Sequence, residues 1–241
     1  MKPRHLSYAL LAACLCLAPA FTPLGAQEQS VSPGINRQYE HPDWSQWVAA
    51  FENEGREVYA QRHAIVEATG ARPGMDVADI GAGTGLFTRL FASRVAPAGK
   101  VYAVDISATF IDNILRTCRD LGLDNVEGIV DTARSAGLPD ASIDLAFISD
   151  TYHHFEYPAS MLASVHRALR AGGRLIIIDF RRDPRINPPW IMQHVRAGKD
   201  TVIMEVEAAG FRLLAEKPVL RGNYFLVFEK SSIDMKGSRS K

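Results

Sequence analysis

The stretch Val77-Ala78-Asp79-Ile80-Gly81-Ala82-Gly83-Thr84-Gly85-Leu86-Phe87 decides how the other residues of this 241-residue chain are read. An apolar run meets three glycines at alternate positions and then passes into a sequence of helical character. Residues without a Cβ let the backbone turn tightly and lie directly against a ligand. A plain strand-to-helix turn needs one such residue rather than three. A dinucleotide fingerprint wants G-x-G-x-x-G, whereas here the third glycine falls one residue early and Leu86 takes its place. Asp79 stands on the strand just before the bend, where a carboxylate attracts a cation and repels a pyrophosphate. The expected ligand of the bend is therefore positively charged.

Working outward, short β-rich runs alternate with helical stretches: strands over 75–80, 100–104, 126–130, 143–148 and 174–180, with helices starting at Gly85, Ala108 and Pro158. That alternation predicts a parallel sheet covered on both faces. The ending breaks the pattern. A helix over 201–209 stops at Gly210, and two strand-like runs, 212–219 and 223–229, follow with a short Gly-containing turn between them, which forces them antiparallel. Before the sheet, Trp44, Trp47, Phe51 and Tyr59 recur near helical spacing. They read as the buried stripe of one or two helices, with a lid over a substrate as the alternative.

Three further acidic stretches sit where ligands of open α/β sheets bind, at strand ends. Asp105 closes the run Val101-Tyr102-Ala103-Val104, with Ile106 after it, and can accept two hydrogen bonds from a ribose diol or cap the next helix. Asp131 and Thr132 follow the third run, where a solvated turn is the alternative. After the fourth run comes Ser149-Asp150-Thr151-Tyr152-His153-His154. Asp150, Tyr152, His153 and His154 are candidate catalytic groups able to take a proton from a substrate atom. Histidines and an acid are also metal-ligand types. Neighbouring histidines on a strand point apart, however, and no local chelating spacing is present, so no metal is expected.

Taken together these motifs resemble the class I S-adenosylmethionine-dependent methyltransferases, of the type that includes quinone-biosynthesis and arsenite methyltransferases, over roughly residues 60–230. The resemblance implies a Rossmann-like α/β fold: a seven-stranded, mostly parallel sheet with helices on both faces and a C-terminal antiparallel hairpin strand. It implies S-adenosyl-L-methionine as cofactor, with Gly81, Ala82, Gly83 and Gly85 wrapping its methionine half and Asp79 holding the amino group. By the same resemblance Asp105 and Ile106 take the ribose region, Asp131 and Thr132 receive the adenine, and Asp150 lines the site. Val130 stands where that family usually has glycine. The rival classes are an NAD-dependent oxidoreductase and a non-catalytic binder of the cofactor.

Lys plus Arg equals Asp plus Glu, 27 each, so no global basic field favours a nucleic-acid partner, and a small-molecule acceptor is expected. Residues 1–26 carry a basic start and an apolar run over 6–17, the plan of a cleaved signal peptide. The run is short of the about 20 apolar residues that a bilayer crossing needs, so no membrane span is expected after cleavage. The expected location is the periplasm, with lipid attachment at Cys14 as the alternative. Residues 27–42 read as a loose leader, 43–230 as the catalytic domain and 231–241 as a frayed tail. Cys118 reads as a packed structural cysteine. Asn187-Pro188-Pro189-Trp190 imitates the box of amino-methyltransferases but follows the fifth strand instead of the fourth, and so reads as a loop. Arg181, Arg182 and Arg185 before it read as a solvated face, with steering of an anionic substrate as the alternative.

Overall fold

The computed structural model describes residues 29–231, so the expected signal segment, Cys14 and the tail beyond Ser231 lie outside the described residues. The chain opens with α1 (Trp44–Phe51), α2 (Glu57–Ala60) and α3 (Arg62–Thr69). Then β1 (Val77–Ile80), α4 (Leu86–Val95), β2 (Val101–Asp105), α5 (Ala108–Asp120), β3 (Val126–Val130) and β4 (Ile143–Ser149) follow in strict alternation except between β3 and β4. A 3-10 turn at Tyr152–His154 leads to α6 (Pro158–Ala168), β5 (Leu169–Phe180), α7 (Pro189–His194), α8 (Lys199–Ala208), β6 (Phe211–Glu216) and β7 (Asn223–Lys230).

The seven strands form one sheet in the order β3-β2-β1-β4-β5-β7-β6. All neighbours from β3 to β5 are parallel, and β7 runs against both β5 and β6. The hairpin expected at the C-terminus is present, with its second strand inserted inside the sheet. The reason is apolarity: Tyr224, Phe225, Leu226, Val227 and Phe228 are consecutively buried, as suits an interior strand covered on both faces, while β6 alternates in burial as an edge strand does.

Alternate residues of the strands feed two cores. Ala146 and Ile148 of β4 pack with Leu162 and Val165 of α6 and Val202 and Val206 of α8. Leu145 and Phe147 face the other way, toward Phe87, Phe91 and Val95 of α4 and Ile65 of α3. Cys118 is buried with Ile111, Ile114 and Ala103, in keeping with a packing role. The strand order reverses between β1 and β4, because the chain runs outward through β2 and β3 before returning to the other side of β1. A cleft opens outside the strand ends at such a reversal.

One expectation is corrected here. The described part of the leader is seated on the domain: Val31 N–H donates to Glu156 O at 2.9 Å and Asn36 Nδ2 donates to His154 O at 3.1 Å. Tyr39 packs against Trp47 and His154, with ring centroids 4.9 and 5.3 Å apart. Its sequence is polar overall, but a few well-placed groups bind it to the rim of the cleft.

Candidate functional site

A cavity of about 1060 Å³ runs along the carboxyl ends of β1, β2 and β4. Its first half is made by the glycine bend. Gly81 and Ala82 N–H both donate to Val104 O, which folds the chain back over the end of β2. Gly81 has φ +74°, and a Cβ there would collide with the Thr151 side chain. Gly83, at φ +54°, donates its N–H to Asp105 Oδ2 at 2.8 Å, while Asp105 Oδ1 accepts from Ser107 N–H at 2.9 Å. Each oxygen of Asp105 keeps capacity for a second bond, and the residue faces the cavity. No side chain caps α5, so the capping alternative for Asp105 is reduced to that single local turn bond.

Burial has charged this half with tension. Asp79 is buried and receives one side-chain hydrogen bond, from Thr88 Oγ1 at 2.6 Å. Burial pushes its carboxyl up to about 7, with the charge of Asp105 adding to the effect. Asp131 is pushed up to about 8, by burial first and Asp105 second, and its Oδ1 is buried with no hydrogen-bond partner among the described residues. Gly81, Ala82, Gly83, Asp105, Ile106, Asp131, Thr132 and Asp150 all line the cavity with Asp79, whereas Gly85 lies just behind, against Ile114. Arg56 is the only Lys or Arg side chain lining the cavity among the described residues, and it is paired with Asp150. The acids at the glycine bend therefore meet no Lys or Arg side chain in the cavity among the described residues.

The second half is assembled from distant segments. Asp150 sits at φ +49°, paired with Arg56 and accepting from Asn223 Nδ2 at 2.5 Å. Burial raises its carboxyl despite Arg56. Held from two sides, Asp150 acts as an anchor for Arg56 more than as a free base. Tyr152 is corrected outright: its ring is fully buried away from the cavity, and its hydroxyl donates to Glu205 Oε2 at 2.7 Å, beside the Arg196–Glu205 pair. Burial and the neighbouring Glu205 raise its phenol far above the ordinary value, and the side chain does not line the cavity.

His153 and His154 lie on a 3-10 turn, where adjacent side chains need not oppose each other, and their rings are 4.3 Å apart. His153 Nδ1 is 2.8 Å from Asp179 Oδ1, and its backbone N–H donates to Oδ2 of the same carboxylate at 3.0 Å. Burial works against its protonation, but Asp179 outweighs burial and leaves the imidazole above its ordinary range. His154 has the opposite fate: burial lowers it to about 2, and its Nδ1 has no hydrogen-bond partner among the described residues.

Several lining residues escape sequence reasoning: Arg56, His194, Asn223 and, behind His153, Asp179. No local motif marks them, since each arrives from a different element. The stripe of α1 is corrected from core to cover. No residue of α1 is fully buried, and Trp47 and Phe51 line the cavity. The Asn187-Pro188-Pro189-Trp190 segment is a loop only as far as Pro188, after which α7 begins. Asn187 Nδ2 donates to Arg181 O and Gly222 O at 2.7 Å each, stapling the loop to the rim. Arg181 pairs with Glu216, Arg185 with Asp183, and Arg182 donates to Met192 O, so none of the three faces the cavity.

The sequence profile of the methyltransferase-domain family matches residues 78–177, which span β1 through most of β5. Over that region the chain resembles the class I S-adenosylmethionine-dependent methyltransferases. It is 36% identical over 122 residues to the ubiquinone/menaquinone biosynthesis C-methyltransferase UbiE of Ectopseudomonas mendocina, covering 48% of this chain and 46% of that one. A S-adenosylmethionine-dependent methyltransferase from Aquifex aeolicus superimposes with TM-score 0.70 and 25% identity over 79% of this chain and all of that one. The [4+2]-cyclase SpnF shares the fold, with TM-score 0.62 at 18% identity over 75% of this chain and 85% of that one. The chain spans about half the length of the curated methyltransferases it matches. SpnF shares the fold under another reaction name, so the fold by itself does not name a reaction.

Proposed function

We propose that the chain is an S-adenosylmethionine-dependent methyltransferase acting on a small, largely apolar acceptor. The observation that carries this reading is the set Asp79, Asp105 and Asp131 around the glycine bend, three buried or half-buried carboxyl groups with open bonding capacity and, among the described residues, no cationic partner in the cleft. These groups fit the cofactor: Asp79 for its ammonium, Asp105 for the ribose diol, and the orphaned Asp131 Oδ1 for the amino group of the adenine. When bound, S-adenosylmethionine supplies an electrophilic methyl group on a positively charged sulfur, which needs no further activation.

What the chain contributes is alignment and dryness. Tyr39, Trp47 and Phe51 cover the cavity, while Phe155, Met161 and Phe180 give the deeper part an apolar lining. The relatives named for ubiquinone/menaquinone biosynthesis support a ring-shaped acceptor for this lining. For an acceptor that arrives protonated, the His153–Asp179 pair is the candidate base, with Asp179 holding the ring in orientation.

The experiment is titration of purified protein with S-adenosylhomocysteine and, in parallel, NADH, followed by isotope transfer from labelled cofactor into a fractionated cell extract. A stability gain with the first ligand alone, together with labelled product, supports the reading. Stabilisation by NADH sinks it, and tight cofactor binding without product in any fraction leaves a binder in its place.

We further propose that the chain is exported to the periplasm by residues 1–26, with lipid attachment at Cys14 as the second form. No helix among the described residues is long and apolar enough to cross a membrane. Fractionation of the C-terminally tagged chain, with mass measurement of its N-terminus, tests this; a full-length cytoplasmic product would refute it.

A further inference from the structure

His153, His154 and His194 come together although 40 residues separate the last two. Each offers one nitrogen to the group, and these atoms lie within 4.8 Å of one another. The ring centroids are 4.3, 4.9 and 5.1 Å apart. All three residues line the cavity.

Simple aromatic packing accounts poorly for this arrangement. Packing three imidazoles together leaves polar nitrogens facing one another, and His154 Nδ1 is buried without a partner among the described residues, which costs free energy unless something fills the gap. His153, in contrast, is oriented from behind: Asp179 is 1% exposed and takes both the ring Nδ1 and the backbone N–H of His153, as well as Phe180 N–H. With Nδ1 donating to the carboxylate, Nε2 presents a lone pair. A carboxylate behind a histidine is how metal-binding imidazoles are commonly held.

We infer that His153, His154 and His194 form a site for a divalent transition metal of the zinc type, with Asp179 as the carboxylate behind His153 and an open coordination position toward the cavity. Three nitrogen donors and no carboxylate in direct reach suit zinc, cobalt or ferrous iron over magnesium or calcium, which take oxygen donors. With metal–nitrogen bonds of about 2.0–2.1 Å, tetrahedral nitrogens stand about 3.3 Å apart, so the trio must draw in by roughly 1 Å or more. His194, half-buried at the last residue of the six-residue α7, is the member placed to move. The fourth position takes water or an oxygen atom of the acceptor, and metal there would occupy the Nε2 lone pair that His153 needs as a base, so the two roles of His153 exclude each other. Binding of the acceptor oxygen rests on the proposed methyltransferase function, whereas metal binding itself does not.

The test uses the full chain, with any purification tag removed, after chelation and dialysis. Cobalt(II) should titrate to one equivalent with the intense visible absorption of a four-coordinate site, and zinc should displace it. His194→Ala and His153→Ala should each weaken zinc binding at least tenfold, and Asp179→Asn should weaken it on the order of tenfold. S-adenosylhomocysteine titrations on the same samples report folding and the cofactor site separately. His194→Gln, which keeps a polar side chain at the end of α7, gives a second variant should the alanine form fold poorly. Absence of a saturable cobalt spectrum, or zinc affinity unchanged in the folded His194 and His153 variants, overturns the site. Loss of cofactor binding in the unaltered protein would instead overturn the methyltransferase reading and leave the metal site standing.

Discussion

The two halves of the cavity are built in opposite ways. The cofactor half comes from strand ends and the bends after them, Asp79 to Gly85, Asp105 with Ile106, and Asp131 with Thr132, all held by backbone bonds of neighbouring parallel strands. The acceptor half is contributed by the leader, α1, the Tyr152–His154 turn, α7 and the start of β7, elements joined mainly through side chains. The first half is thus a property of the sheet and tolerates little change, while the second can be rebuilt by substituting its parts.

The largest expected effect breaks the cofactor half. Asp105→Ala removes both the acceptor for Gly83 N–H and the two oxygens that face the cavity. Losing a pair of charge-assisted bonds should weaken S-adenosylhomocysteine on the order of a hundredfold or more by calorimetry. Retained affinity would mean the bend holds its ligand without the acid.

Next comes the joint between the halves. Arg56→Ala leaves Asp150 buried against Asn223 without its cation and should cost about 2–3 kcal/mol in denaturant unfolding, below the usual cost of a fully buried pair because Arg56 is partly exposed. Adding Asp150→Asn should recover much of that loss; no recovery would show that Arg56 acts by packing on Phe51 instead.

A subtler probe is pH. Asp79 keeps its proton up to about 7 in the folded, ligand-free chain, against an ordinary value of 3.8. The ammonium group of S-adenosylhomocysteine pairs with the ionised form, so affinity for this ligand should climb as pH rises toward and through about 7 and then level off. Stability of the ligand-free chain runs the other way. Between about pH 4 and 7 the unfolded chain has released this proton and the folded one has not, so stability contributed by Asp79 declines as pH rises. Asp79→Asn should flatten both profiles, and an unchanged slope would assign the titration to another acid such as Asp131.

The smallest effects lie on the acceptor side. Trp47→Ala should raise the acceptor KM by roughly tenfold, the cost of about one aromatic contact, while S-adenosylhomocysteine affinity changes by less than about threefold. Arg185→Ala should change neither quantity, since its 87% exposed side chain pairs with Asp183 outside the cavity. A rise in acceptor KM on its removal would restore the idea that the arginines steer an anionic substrate.

Legibility follows the same division. Strand positions were readable within a few residues because burial on both faces demands apolar runs, as in Ile143–Ser149 and Asn223–Lys230. The insertion of β7 between β5 and β6 was not, because antiparallel pairing of a hairpin does not say which strand meets the sheet. Tyr152 was misassigned since a turn at the right strand end can aim a side chain inward or outward, and only the presence of Glu205 and Arg196 behind it decides. The leader looked loose because its polar composition hides the few contacts that seat it.

Residues 77–87 by themselves determined the α/β class, the glycine bend and the first acid beside it, Asp79, because a tight bend after a buried strand is a local matter of φ, ψ and missing Cβ atoms. The meeting of His194 with His153 and His154, the pairing of Arg56 with Asp150 and the cover formed by α1 were decided by tertiary structure alone. Those contacts depend on how helices and loops far apart in the chain pack around the sheet, and no spacing within one segment records that.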